Sequence, residues 1–82
     1  MHTKEEILEQ IQIIISDLFE IDKAEITPDA ELYDGLDLDS IDAIDMIVKL
    51  QEMTGKTVKP EDFRSARTVD DVVNVVHQLI QD

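Results

Sequence analysis

Cysteine is absent from the 82 residues, which removes disulfides, thiolate zinc sites and cysteine nucleophiles together and fits a reducing compartment. Basic side chains are scarce. Seven of them face 20 acidic residues, a formal net charge of −13 that repels phosphate backbones and anionic lipid surfaces. Nucleic acid is thereby disfavoured as a partner, and the expected partners carry basic patches, with charge steering speeding their encounters. Long apolar runs are missing too: the longest aliphatic stretches are Ile13-Ile14-Ile15 and Met46-Ile47-Val48, far short of the roughly 20 residues that span a bilayer. Membrane insertion is not expected. The opening Met1-His2-Thr3-Lys4-Glu5-Glu6 has early acids where a secretory signal has a basic region and an apolar block, so the sequence reads as cytoplasmic.

What is present suffices for a core. At 43% hydrophobic residues the chain is too apolar for a disordered acidic tail. Its length suits a single domain spanning residues 1–82 and is too short to divide. Thr3 and Glu6 form the T-x-x-E pattern of a helix-opening capping box. Ile7, Ile11, Ile14, Ile15 and Leu18 then recur every three or four residues, one buried helical face. The pattern frays near Glu20-Ile21-Asp22, and Pro28 disfavours helix around Ile26-Thr27. A long loop is expected from about Asp22 to Asp39, pinned by Ile26, Leu32, Tyr33, Leu36 and Leu38.

A second helix should start near Asp39-Ser40, both good N-cap types, and end at Gly55. Pro60-Glu61-Asp62-Phe63 reads as a short third helix with proline in its preferred first position. Thr68 and Asp71 resemble another capping box, and Val69, Val72, Val73, Val76, Leu79 and Ile80 give a fourth helix its apolar face. Val72 to Val76 has strand propensity, but the spacing favours helix. The predicted fold class is all-α, a four-helix bundle with three longer helices, one short one and a long loop between the first two. A monomer is expected.

At about 100° per residue, Ala43, Met46, Ile47 and Leu50 share one side of the second helix, with Met53 near its edge. Ile41, Ile44 and Val48 share the opposite side, and Asp42, Asp45, Lys49 and Glu52 lie on a flank between the two. Branched aliphatics beside carboxylates suit a surface covered temporarily by a partner that charge guides in. The alternative is that the long loop or the third helix covers the second stripe permanently.

Ser40 stands at the head of this helix behind Asp37-Leu38-Asp39. A nucleophilic serine needs a base, and the only histidines are His2 near the N-terminus and His77 in the last helix. An autonomous hydrolase is disfavoured, and His77 reads as a surface or packing residue. A helix start is electropositive and offers free amides, so a phosphate on Ser40 would be tolerated. By itself Ser40 also reads as an ordinary N-cap. Asp37-x-Asp39 fails as a calcium loop, because Asp42 stands where glycine is needed and Val48 where a bidentate glutamate belongs. No metal site is assigned.

Leu36-Asp37-Leu38-Asp39-Ser40-Ile41-Asp42, followed by Ala43-Ile44-Asp45-Met46-Ile47, resembles the D-S-L segment of acyl carrier proteins, and the likeness of helix pattern covers nearly the whole chain. The resemblance implies a carrier and not an enzyme. It implies 4'-phosphopantetheine attached to Ser40 by a phosphopantetheinyl transferase, with acyl groups held as thioesters for fatty-acid, polyketide or aryl-polyene-type synthesis. It casts Asp37, Asp39, Ile41, Asp42, Ile44, Asp45, Val48 and Glu52 as the surface read by ketosynthases, acyltransferases and other enzymes with basic docking patches. The glycine common two residues before the family's aspartate is Asp37 here, with Gly35 displaced, and the leucine after the serine is Ile41. The Asp37 departure points toward a specialised pathway. A D-alanyl or peptidyl carrier, or an acidic helical adaptor without a prosthetic group, are the alternatives.

Overall fold

The computed structural model describes residues 3–80. Helix α1 spans Lys4–Phe19, α2 Ser40–Thr54, α3 Pro60–Arg64 and α4 Val69–Ile80. The all-α expectation holds among the described residues, with three long helices and one of a single turn or so. Its core is aliphatic apart from Phe63: Ile7, Ile11 and Ile15 of α1 meet Met46 and Leu50 of α2 and Val69, Val72 and Val76 of α4. Ile14, Leu18, Leu79 and Ile80 pack on its margin, half-buried. Each fully buried Ile, Leu or Val side chain contributes roughly 1.5–3 kcal/mol of transfer free energy, so the aliphatic stripes are what align the helices.

Local chemistry sets the helix ends where the sequence placed them. The Thr3 hydroxyl accepts from the Glu6 amide at 3.2 Å while Glu6 Oε1 accepts from the Thr3 amide at 2.9 Å, completing the first capping box. Helix α1 closes at Glu20, which takes a left-handed φ of 55° and donates its amide to the Ser16 carbonyl. Gly55 ends α2 with a φ of 69°, a conformation that costs glycine nothing. At α4 the Thr68 hydroxyl accepts from the Asp71 amide, and Asp71 Oδ2 accepts from the amides of Arg67 at 2.9 Å and Thr68 at 3.2 Å. The Arg67 and Thr68 amides hold this carboxyl below the ordinary aspartate range, because they stabilise its charged form.

The α1–α2 connection is more ordered than a plain loop. Lys23–Glu25 forms a 3₁₀ turn capped by Asp22, whose side chain accepts from the Ala24 amide. Gln12 Nε2 of α1 donates to the Ile26 carbonyl at 2.8 Å. An isolated antiparallel bridge joins Glu31 to Thr68, and the Leu32 and Val69 amides donate to the Arg67 and Ala30 carbonyls. The loop is thus stitched to the start of α4 by its backbone as well as pinned by Ile26, Leu32 and Leu38, all buried. Tyr33, 37% exposed, stands outside that buried set, and Leu36 packs against the core half-buried.

Two residues shape the turn that follows. A Cβ on Gly35 would come within 2.8 Å of the Glu31 carbonyl oxygen, whose position is fixed by bonds from the amides of Gly35 and Leu36. Glycine is needed here for close backbone approach. Asp37 then adopts a left-handed φ of 61°, a conformation that aspartate tolerates better than most side chains. Among the described residues no helix is long and apolar enough to cross a membrane.

Candidate functional site

Helix α2 opens on a two-sided cap. Asp39 Oδ1 accepts from the amides of Ile41 and Asp42, each at 2.9 Å, and Asp42 Oδ2 accepts from the Asp39 amide at 3.1 Å. Asp39, not Ser40, is therefore the N-cap, which corrects the reading of Ser40 as an ordinary cap. Asp42, expected only as a docking residue, also closes this box. Two of the amides taken to be free at the helix mouth, those of Ile41 and Asp42, are committed to Asp39.

Ser40 is the first residue of the helix and is exposed. Its hydroxyl takes no part in the hydrogen bonds that build the cap. It also lines a groove of about 300 Å³ with Tyr33 of the loop, Ala43, Ile44 and Ile47 of α2, and Pro60, Phe63 and Arg64 of α3. No histidine is among these. His77 lies on α4 beside Lys4, Asn74 and Gln78, and His2 lies outside the described residues. Among the described residues no imidazole lies in the groove to serve Ser40 as a base.

The two faces of α2 separate as their angular positions require. Ala43, Met46, Ile47 and Leu50 are buried, whereas Ile41, Ile44 and Val48 remain 70%, 57% and 48% exposed. Neither the loop nor α3 covers them. Asp45 and Glu52 are exposed beside the stripe, Asp42 is half-buried, and Asp37 and Asp39 are exposed ahead of it. Lys49 on the same flank pairs with Glu52 at 3.8 Å, leaving the flank acidic on balance. Three aliphatics thus lie open to solvent along one face of α2.

A family model described as "phosphopantetheine attachment site" matches residues 9–76. The chain belongs to the acyl carrier protein family. It is 55% identical to acyl carrier protein 2 of Ralstonia nicotianae, over 95% of this chain and 96% of that one. It is 36% identical to the meromycolate extension acyl carrier protein of Mycobacterium leprae, over 94% of this chain and 67% of that one. Its fold is similar to the solved acyl carrier protein of Enterococcus faecalis, with a TM-score of 0.77 and 28% identity, covering 95% of this chain and 99% of that one. The acyl carrier family holds acyl groups on phosphopantetheine for biosynthesis and works through a phosphopantetheinyl transferase and acyl-processing enzymes. This acyl carrier is accordingly a carrier and not an enzyme, and the adaptor without a prosthetic group is set aside.

The local chemistry fits such an arm. An exposed, uncommitted hydroxyl sits on a rigid helix end, with an apolar groove at its foot and one cation, Arg64, in the groove wall. Tyr33, Phe63 and Arg64 were not recognised as site residues from sequence. They lie 7 and 23 to 24 positions from Ser40, and no local pattern ties them to it; only the packing of α3 against α2 does.

Proposed function

We propose that Ser40 is the hydroxyl that carries the 4'-phosphopantetheine arm, and that Asp37, Asp39, Ile41, Asp42, Ile44, Asp45, Val48 and Glu52 form the surface on which partner enzymes dock. The observation that carries this reading is the coincidence, on one helix, of a solvent-facing serine at its first position and an uncovered aliphatic stripe beginning at the next residue. A carried substrate needs an anchor with no reactivity of its own, so that chemistry happens only when an enzyme engages. Exposed aliphatics give a grip that strengthens as water leaves. Carboxylates around them speed encounter with basic patches more than they prolong residence, because rim charges are screened. One face can then serve several enzymes in turn.

The transferase, a ketosynthase and an acyltransferase are the partners this surface fits, and the carrier acts as a monomer, one domain over residues 1–82, in the cytoplasm. Asp37 at the position where the family commonly has glycine favours a specialised polyketide, aryl-polyene or similar pathway over general fatty-acid synthesis. The Mycobacterium leprae relative is named for meromycolate extension.

The test is direct. Incubating the protein with coenzyme A and a promiscuous phosphopantetheinyl transferase should add one phosphopantetheine mass to the intact chain, and Ser40→Ala should abolish the adduct. Retention of the adduct by Ser40→Ala would move the attachment elsewhere; no adduct with several such transferases would overturn the assignment.

A further inference from the structure

Positive charge is unevenly placed along this chain. Of its seven basic residues, Lys56, Lys59, Arg64 and Arg67 fall between residues 53 and 69, where only Glu61 and Asp62 oppose them. The stretch containing α3 thus has a positive balance in a strongly acidic chain. Packing then sorts these charges. Lys56 lines a cleft with Ile7 and Met53, away from Ser40, and Arg67 pairs with Glu31. Asp62 lies in a cleft with Val75, Gln78 and Leu79 of α4, whereas Arg64 lines the groove with Ile44 and Ile47 of α2. Arg64 is exposed and, among the described residues, enters neither the Lys49–Glu52 nor the Arg67–Glu31 ion pair.

Helix geometry places α3 relative to the docking stripe. With Ser40 at zero and about 100° per residue, Ile44, Val48 and Ile41 lie at about 40°, 80° and 100° around α2. Glu52 and Asp45 follow at about 120° and 140°, while Ile47, which lines the groove, lies at about 340°, beyond the other edge of the stripe. The exposed aliphatic row is therefore bordered by carboxylates along one edge and by α3, with Arg64, along the other. The fold fixes the distance between these edges. Phe63 of α3 is buried in the core, and Gln51 Oε1 of α2 accepts from the Val58 amide at 3.0 Å, tethering the link into α3.

We propose that the acyl-processing enzyme that uses this carrier presents a bipolar socket: an apolar slot for Ile41, Ile44 and Val48, basic side chains along the edge that meets Asp45 and Glu52, and a carboxylate on the opposite edge that meets Arg64. This rests on docking at the α2 stripe. A face of one charge sign attracts a basic patch in many orientations. A face with opposite edges favours one orientation and penalises the reversed one, in which like charges meet. Arg64 is then a specificity-determining residue, which disfavours enzymes whose basic patch extends across α3. Arginine suits the role because its permanently charged planar fork can pair with a carboxylate through two hydrogen bonds.

A ketosynthase of the host that elongates acyl groups loaded on the wild-type carrier provides the test, with the full chain modified at Ser40 as the varied substrate. Arg64→Gln should raise KM about threefold and Arg64→Glu about tenfold, with kcat within about twofold of wild type, and Arg64→Lys should recover most of the loss. Changing one Asp or Glu at the edge of the ketosynthase patch to Lys should restore the KM of Arg64→Glu. A KM for Arg64→Glu equal to or below that of wild type, with Ile44→Arg still raising it about tenfold, would overturn the bipolar socket and leave docking at the stripe intact. A KM that Ile44→Arg also leaves unchanged would remove the docking surface and this proposal together, so the two failures are distinguishable.

Discussion

At the scale of single residues, the approach to Ser40 depends on two backbone requirements that the sequence meets in an unusual order. Gly35 supplies the close approach to Glu31, and Asp37, two residues on, supplies the left-handed turn at φ 61°. A left-handed residue other than glycine costs roughly 1–2 kcal/mol, less for aspartate; glycine removes that cost but loses roughly 0.5–1 kcal/mol of chain entropy. Asp37→Gly should therefore leave thermal stability within about 0.5 kcal/mol of wild type. Asp37→Val, β-branched and unable to make local polar contacts, should cost about 1–2 kcal/mol, a fall in Tm of roughly 5–15 °C for a domain of this size. Circular dichroism melts of the two variants side by side check the sign. Equal melting of Asp37→Val and wild type would contradict a left-handed Asp37.

At the scale of elements, α2 works because its two apolar stripes have different fates. Leu50 is completely buried and Ile44 is 57% exposed. Leu50→Arg places an unpaired charge in the core at a cost of several kcal/mol, comparable with the whole stability of a small domain, and should abolish cooperative melting. Ile44→Arg should shift stability by no more than about 0.5 kcal/mol yet weaken binding to a phosphopantetheinyl transferase at least tenfold, as titration calorimetry would measure. Helix α4 carries its own pH signature. Asp71 is held below the ordinary aspartate range by the Arg67 and Thr68 amides, so its folded pKa lies under its unfolded one. Its contribution is complete above the unfolded value and is lost as pH falls through the folded one. The gap in Tm between wild type and Asp71→Asn should be widest near neutral pH and narrow below about pH 4, in a series of melts at matched ionic strength.

At the scale of the molecule, a charge of −13 is confined to a body 31 × 23 × 19 Å in extent. The ion pairs Lys49–Glu52 and Arg67–Glu31, each at 3.8 Å, are exposed and offset little of the mutual repulsion. The Debye length is about 10 Å at 0.1 M salt and about 30 Å at 0.01 M, so at low salt nearly every carboxylate feels every other. Raising sodium chloride from about 0.01 to 0.2 M should raise Tm by several degrees, and millimolar magnesium should do the same at lower ionic strength. Flat melting temperatures across that series would mean that repulsion does not limit stability. Partner association should respond oppositely, slowing with salt because the same charge steers it.

Most of the architecture was legible because it is local or periodic. The capping pairs Thr3–Glu6 and Thr68–Asp71, the stop at Gly55, the proline opening α3 and the two stripes of α2 each arise from spacing along a single helix, where 3.6 residues per turn fixes which side chains are neighbours. The D-S-I segment at a helix head was also a matter of order along the chain. Tertiary structure decided what depends on contacts between distant segments. It left the Ile41, Ile44 and Val48 stripe open instead of roofed by loop or α3, set Tyr33 in the wall of the groove beside Ser40, bridged Glu31 to Thr68, and committed the Ile41 and Asp42 amides to Asp39. It also brought Arg64 and Phe63 into one groove with Ser40. Periodicity states which faces an element has, but only the packing of one element on another determines which face meets water and which residues, remote in sequence, become neighbours.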